Sequence, residues 1–401
     1  VQDHYTLIIP TFNRPEELSR LVRFLLRQGV SFPVLVLDSS AAQARACNRE
    51  LIEGASSWFE HVEYDEQTHP FDKFRDGVHR VRTSTCQLCA DDDVVLVDGV
   101  AQCVDRLESD PCLAAAQGLC FMFMEMDGRV MEIPRLLYFA RDNTGADPLR
   151  RLGHLFRQYQ ALTYSVYRTE VLAHVFDRVR DVDSLLAREL LSGALTVTRG
   201  AVARLQVFSN GRGLTPSTPY RHWHPLEWLI RSPQDLFAEY RRYRSILIDE
   251  LVQSDGIALE EAEIGRRVDL IHMLYLARHM PTGTLDFAVE RMLAGDDFDA
   301  IWASHEIHGP LQRAAEVADR RLEESLGRHA RTLAWEVGRR VKRRVVPPGC
   351  RVRNPLLRSM RSPVREYRLH PEFFDRAPAS REPIQNRELQ NLLNCMDLFG
   401  T

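Results

Sequence analysis

Tyr5-Thr6-Leu7-Ile8-Ile9-Pro10-Thr11-Phe12-Asn13-Arg14-Pro15 decides the fold: an apolar run runs straight into a polar turn. A short, continuously apolar run ended by proline reads as a strand buried on both faces, the signature of a parallel sheet. Asn13 suits a helix cap. Pro15 suits the first helical position, where its missing N–H has no partner to lose. Glu16 and Glu17 favour the positive end of the helix dipole. Leu18, Leu21, Val22, Leu25 and Leu26 then recur at helical spacing, one apolar stripe to lay against a sheet.

The same alternation continues outward from this unit. Val34-Leu35-Val36-Leu37-Asp38 is a second buried strand that ends in an acid. A helix over 43–54, a short strand over 61–64 and a helix over 72–82 follow. Cys86 to Ala90 is a strand that runs directly into Asp91-Asp92-Asp93. Strands alternating with helices predict an α/β fold, a Rossmann-like, mostly parallel sheet with helices on both faces. Such sheets bind ligands beyond the carboxyl ends of their strands. The turn Thr11 to Arg14, Asp38 and the triple acid all fall at strand carboxyl ends, so they are expected to converge on one site.

Later segments are predicted as a helix over 99–108, a strand over 113–117 and a hairpin turning at Asp127-Gly128. A strand over 162–167, a helix over 184–195 and a strand over 202–208 come next. From Pro225 the period is helical, over 229–252, 260–279, 285–292 and 311–326. The expected organisation is a catalytic domain over 1–222, a helical C-terminal domain over 223–327, and a basic amphipathic segment with an extended tail over 328–401.

The triple acid carries the sharpest chemistry. Three adjacent carboxylates repel one another unless positive charge sits among them. A hard divalent cation with oxygen ligands, Mg²⁺ or Mn²⁺, is the usual solution, held by one or two carboxylates and by substrate phosphates. A solvated acidic turn is the bland alternative. Cys86 and Cys89 show redox-pair spacing. On a strand, however, residues three apart face opposite sides, so both are read as core. The eight cysteines lack the spacing of a disulfide framework. Gly211-x-Gly213 lacks the third glycine of a dinucleotide fingerprint.

Taken in order, Leu7 to Arg14, Val34 to Asp38, and Leu88-Cys89-Ala90-Asp91-Asp92-Asp93 resemble the family 2 glycosyltransferases of the GT-A fold. Within them the sequence is similar to a bacterial subgroup with a CADDD-type acidic motif and a helical C-terminal region. The resemblance covers about residues 5–210, with weaker family positions at Val166-Tyr167-Arg168 and between Asp183 and Gly193. It implies a metal-dependent, inverting enzyme that moves a sugar from a nucleoside diphosphate, most often UDP, to an acceptor hydroxyl.

The resemblance also implies roles for particular residues. Pro10, Thr11, Asn13 and Arg14 hold the nucleotide, and Asp38 reads the base or ribose. Lys73 faces the donor. Asp91 and Asp93 bind the metal, while Asp92 contacts donor sugar or ribose. Asp183 is the first choice for the general base, with Asp181 and Glu189 as rivals. His222 and His224 are candidates to share the metal, since alternating histidines in an extended segment point the same way. Arg212, in a glycine-rich turn, is a candidate to neutralise phosphate.

The formal net charge of -4 is unevenly spread. Between Arg328 and Arg365 there are twelve Lys or Arg and one acid. Leu333, Val337, Val341 and Val345 fall four apart among them, the pattern of a basic amphipathic helix able to lie on an anionic bilayer. That segment suits an enzyme whose acceptor is a lipid-linked glycan or an envelope polysaccharide. Packing on the acidic remainder of the chain, or holding a polyanionic acceptor, are the alternatives. No run approaches the ~20 apolar residues of a membrane span, and no basic, apolar leader opens the sequence. The expected compartment is therefore the cytoplasm, or the inner face of the cell membrane. The long helical region would also allow self-association.

No nucleic-acid recognition motif accompanies the basic charge. Two other functions remain open at this level. Nucleotidyl transfer would favour a glycine-rich phosphate loop after the first strand, and Thr11 to Pro15 has no glycine. A module that binds nucleotide or carbohydrate without turnover would not need the acids.

Overall fold

The computed structural model describes residues 3–126, 129–138, 142–157, 159–213, 233–279 and 285–303, with a few positions between 388 and 396. His222, His224, the helical run predicted over 311–326 and the basic segment over 328–365 lie outside the described residues.

The first half alternates as expected: β1 (Tyr5–Thr11), α1 (Pro15–Arg27), β2 (Val34–Asp38), α2 (Ala42–Glu53), β3 (Phe59–Glu63), α3 (Pro70–Arg80), β4 (Thr85–Leu88), β5 (Val94–Val95) and α4 (Val97–Glu108). Then come β6 (Leu113–Met126), β7 (Arg129–Tyr138), α5 (Pro148–Arg157), β8 (Val166–Arg168), α6 (Thr169–Val179), α7 (Leu185–Arg199) and β9 (Ala201–Gly213). Among the described residues, α8 (Pro233–Val252), α9 (Glu261–His279), α10 (Asp286–Ala294) and α11 (Phe298–Ala303) follow.

The strands form one sheet in the order β3-β2-β1-β4-β8-β6-β9-β5, with β7 paired to β6. Strands β1, β2, β3 and β4 pair in parallel. β8 runs antiparallel to both β4 and β6, so β6 and its parallel neighbour β9 share the direction of the first four. Among the described strands β5, β7 and β8 run the other way, so the sheet is mixed, with the expected parallel pairing over β3, β2, β1 and β4.

Period-two alternation splits the buried side chains between the two faces. Ile8, Leu35 and Leu37 join α5, α6 and α7 in one core. Leu7, Ile9, Val34 and Val36 join α1 and α4 in the other. Cys86 lies in the first core and Cys89 in the second, as strand geometry requires of residues three apart. Burial drives the Cys86 thiol up to about 12, which leaves it inert as a nucleophile.

Several elements differ from the sequence reading. β4 stops at Leu88 rather than Ala90, because a backbone bond from the Asp93 N–H to the Ala90 carbonyl already turns the chain. β8 is three residues long instead of six. Helices α5 and α6 were not anticipated, although Leu149, Leu152, Leu155 and Phe156 carry helical spacing after Pro148.

The helical region shares a core with the sheet domain. Tyr243, Leu247 and Leu251 of α8, and Ile264, Val268 and Tyr275 of α9, belong to the cluster that contains Leu152 and Leu191. Leu392 and Met396 are fully buried among Phe24, Val94, Phe121, Phe123 and Phe208, because this end of the sheet presents aromatic surface that only apolar side chains can cover. No helix of the described residues is long and apolar enough to cross a membrane.

Helix α4 approaches β9 so closely that a Cβ on Gly99 would stand 2.0 Å from the Phe208 carbonyl oxygen. Gly99→Ala gains up to ~1 kcal/mol of helix propensity but must separate two backbones. Overpacking of this kind costs ~1–3 kcal/mol, so the variant is expected to be less stable in urea unfolding. Equal or greater stability would show that the helix shifts freely on the sheet.

Candidate active site

The site is built where β1, β2 and β4 end. β1 and β4 are direct neighbours, so the turn after β4 arrives beside Thr11. The Thr11 hydroxyl donates to Asp91 Oδ2 at 2.8 Å. Arg14, at the start of α1, reaches back and donates through Nη1 to Asp91 Oδ1 at 3.2 Å and to Asp92 Oδ2 at 2.9 Å. The positive charge that the triple acid requires is thus supplied in part by the chain itself.

Asn13 makes the tight turn between strand and helix. Its φ of 56° is in the left-handed region, which asparagine tolerates better than most residues. Its N–H donates to Ser40 Oγ, and its Oδ1 accepts from the Ala41 N–H, each at 2.8 Å. The loops after β1 and β2 are thereby tied together.

Asp38 braces the second loop. It is fully buried, with Oδ1 accepting from the Ser40 N–H and Oδ2 from Asn48 at 2.9 Å. His61 stands 3.0 Å from the same Oδ2. Burial alone would raise this carboxyl, but His61, Ser40 and Asn48 outweigh it and hold the group below the usual carboxylate range. Both oxygens are already engaged, so reading a ribose would require one of these donors to yield.

Lys73 comes from α3 and is 3% exposed. Its ammonium donates to the Thr11 carbonyl at 2.9 Å and to Ser39 Oγ at 2.8 Å. Burial lowers its pKa to about 8, while Asp38 and Asp91 pull it back up. It therefore joins the ends of β1 and β2 and adds a second cation near Asp91.

Asp93 closes the turn from the other side. Its Oδ2 accepts from the Tyr164 hydroxyl at 2.7 Å, and its Oδ1 accepts from the Gly213 N–H at 2.9 Å. β5 pairs with Asn210 and Gly211 of β9, which carries the strand's end onto the acidic turn. A Cβ on Gly213 would meet the Asp92 carbonyl at 2.3 Å, so this approach requires glycine. The neighbouring Arg212 lies close enough for its charge to act on both Asp93 and Glu189. Sequence reasoning missed Tyr164, Gly213, Ser39 and Ser40. Only Gly213 left a signal, as the end of the Gly-x-Gly set aside above.

Burial raises Asp93 to about 7, and the neighbouring Asp92 charge adds to it, against Tyr164, Gly213 and Arg212. Burial likewise raises Asp91 to about 6, with Asp92 adding and Thr11 and Arg14 opposing. Two buried carboxylates that are reluctant to ionise form a site that gains from added positive charge. Their hard oxygen donors suit Mg²⁺ or Mn²⁺. Among the described residues, no group of three or more His, Cys, Asp or Glu could hold a metal. Asp91 and Asp93 are the carboxylates of the turn that could contribute to such a site.

The three candidate bases separate clearly. Asp183 has a 76% exposed side chain and pairs with Arg242 of α8 at 2.7 Å. Asp181 is 61% exposed beside Arg180. Glu189, on α7, is partly buried and is raised to about 7 by burial, against the Tyr159 hydroxyl and the Arg212 charge. A base working near neutrality needs a pKa near 7 and shelter from bulk water. Glu189 is the candidate sheltered from solvent, whereas Asp183 faces solvent and is held by a cation of the helical region.

No family model and no curated protein matches the sequence. Similar solved structures include TarS 1–349 of S. aureus, at 16% identity and a TM-score of 0.45, covering 78% of this chain and 81% of that one. The same protein in complex with UDP-GlcNAc aligns at 17% identity and a TM-score of 0.46, over 69% and 72% of the two chains. The mannosyltransferase PcManGT of Pyrobaculum calidifontis, in complex with GDP-Man and Mn²⁺, aligns at 14% identity and a TM-score of 0.41, over 79% and 84%.

The raised carboxyls carry a pH signature. Relative to an ordinary aspartate near pH 4, the folded protein keeps protons that the unfolded chain has released. The stability from these groups is complete below about pH 4 and is lost as pH rises through the folded values. In the ligand-free protein, Asp93→Asn is expected to flatten that fall and to gain on the order of 1–3 kcal/mol over the parent near pH 8. Urea unfolding at acid and alkaline pH measures this, and parallel curves for the two proteins would contradict it.

Proposed function

We propose that this chain is a glycosyltransferase of the GT-A type, transferring a sugar from a nucleoside-diphosphate donor, UDP first among the candidates, to an acceptor hydroxyl. The observation that carries this reading is the convergence of Thr11 and Arg14 on the buried Asp91 at the carboxyl ends of adjacent strands, with the Lys73 ammonium held on the Thr11 carbonyl beside them. That arrangement suits a diphosphate: cations and hydroxyl donors on one side, and acids that accept a counter-ion on the other.

Asp91 and Asp93 would hold the divalent cation, Mn²⁺ or Mg²⁺, which when bound supplies Lewis-acid charge beside the leaving diphosphate. The residues of the chain do the rest. Arg14 fixes the turn by bridging Asp91 and Asp92. Lys73, which is buried, and Arg212 add positive charge near developing negative charge. Tyr164 and the Gly213 N–H orient the Asp93 carboxyl.

Glu189 is the proposed general base. It takes the acceptor's proton as the new C–O bond forms and the electron pair of the breaking sugar–phosphate bond leaves with the diphosphate. Attack on the side opposite the leaving group inverts the anomeric centre. A glycan, lipid-linked or polysaccharide acceptor is proposed from the sequence, with 328–365 as the segment that meets an anionic membrane surface. His222 and His224 remain proposed metal partners from the sequence alone.

Nucleotide release from a panel of UDP- and GDP-sugars with Mn²⁺ tests the reading. Asp93→Ala is expected to abolish release. Glu189→Gln is expected to lose about 10²-fold or more in kcat while keeping donor affinity, whereas Asp183→Asn stays within a few-fold of the parent. A dead Asp183→Asn beside an active Glu189→Gln would return the base to Asp183. Donor binding without release by the parent protein would favour a passive binding module.

A further inference from the structure

Glu189 is held by a residue from outside its own helix. The Tyr159 hydroxyl stands 3.2 Å from Glu189 Oε1 and 3.3 Å from the Glu189 carbonyl oxygen. Among the described residues, Oε2 takes no hydrogen bond. Tyr159 lies two residues beyond the end of α5. Its ring is held by aromatic contacts. It stacks on Phe156 at 5.7 Å and meets the edge of Tyr275 at 5.8 Å. Tyr275 is 5% exposed, belongs to α9, and also packs on Phe156 at 5.3 Å.

We propose that Tyr159, braced by Tyr275 of the helical region, is a positioning residue for Glu189: it ties down Oε1 and leaves Oε2 to take the acceptor's proton. This rests on the reading of Glu189 as the base. It gives the helical region a part in the chemistry, since α9 provides the wall against which the tyrosine is set. A hydroxyl donated to a carboxylate favours its ionised form, so losing that hydroxyl makes the carboxyl harder to ionise. The other groups whose charge acts on Glu189 are Arg212 of β9, which opposes protonation, and Tyr275 itself, coupled to it from α9. Neither is altered by changing Tyr159 to Phe.

The experiment follows the Glu189 carboxyl directly, by infrared difference titration of the full chain against Glu189→Gln, and needs no turnover. Tyr159→Phe keeps the ring and its packing and removes only the hydroxyl. Its carboxyl midpoint is expected to rise by about half a unit to one unit. Tyr275→Leu, which removes the brace, is expected to shift the midpoint the same way by less. Thermal unfolding of Tyr159→Phe within a few degrees of the parent excludes a merely structural effect.

With the donor that the parent turns over fastest, the acid limb of the kcat profile is expected to move up by the same interval. The loss near neutral pH then recovers at alkaline pH, with donor affinity unchanged. An unmoved infrared midpoint in Tyr159→Phe overturns the proposal. So does a loss of kcat that is equal at every pH. A shifted midpoint in a protein that turns over no donor would leave the tyrosine coupling standing and refute the transferase reading instead.

Discussion

Two carboxylates buried at the end of one strand set the terms for everything around them. Asp91 and Asp93 are 5% and 4% exposed, and neither has enough solvent to stabilise its charge. A buried charge must be paired or hydrogen-bonded, or it gives up its ionisation. The structure meets that demand from four directions: Thr11 from β1, Arg14 from α1, Tyr164 from the segment before β8, and the Gly213 N–H from the end of β9. The demand is met only in part, since both carboxyls remain raised above their ordinary range. An incompletely compensated acidic pair is what a site needs if it is to gain binding energy from a cation and a polyphosphate.

The supporting loops show how the sheet turns strand order into chemistry. β1 lies between β2 and β4, so its end can be tied to both neighbours at once. Asn13 ties it to the loop after β2 and Thr11 ties it to the turn after β4. Lys73 spans the same ground from α3. Asp38, spent on Ser40, Asn48 and His61, acts as the anchor of that loop. The ties made by Asn13, Thr11 and Lys73 join residues distant in the chain.

Much of this was legible in the sequence, and what was not has physical reasons. The strand–turn–helix unit at Tyr5 to Arg27 was readable because a buried parallel strand leaves an uninterrupted apolar run and Pro15 marks the helix start. The triple acid was readable because adjacent carboxylates at a strand end are costly without a purpose. The different exposures of Asp181, Asp183 and Glu189 were not readable, because exposure depends on tertiary packing: Arg242 arrives from α8 and Tyr159 from the segment after α5. Tyr164 left no trace either, since nothing in the letters around a tyrosine says where its hydroxyl ends. The burial of Leu392 and Met396 depended on an aromatic surface assembled from α1, β5, β6 and β9.

The central claim is that the buried acidic turn accepts a cation together with a diphosphate. Crystals of the protein soaked with UDP and Mn²⁺ test it most directly, because the anomalous signal of manganese locates the ion independently of the nucleotide. The account expects that signal against the carboxylates of Asp91 and Asp93, with the diphosphate between it and the Thr11–Arg14 turn. Manganese bound elsewhere, or a nucleotide seated away from the ends of β1 and β4, would contradict it.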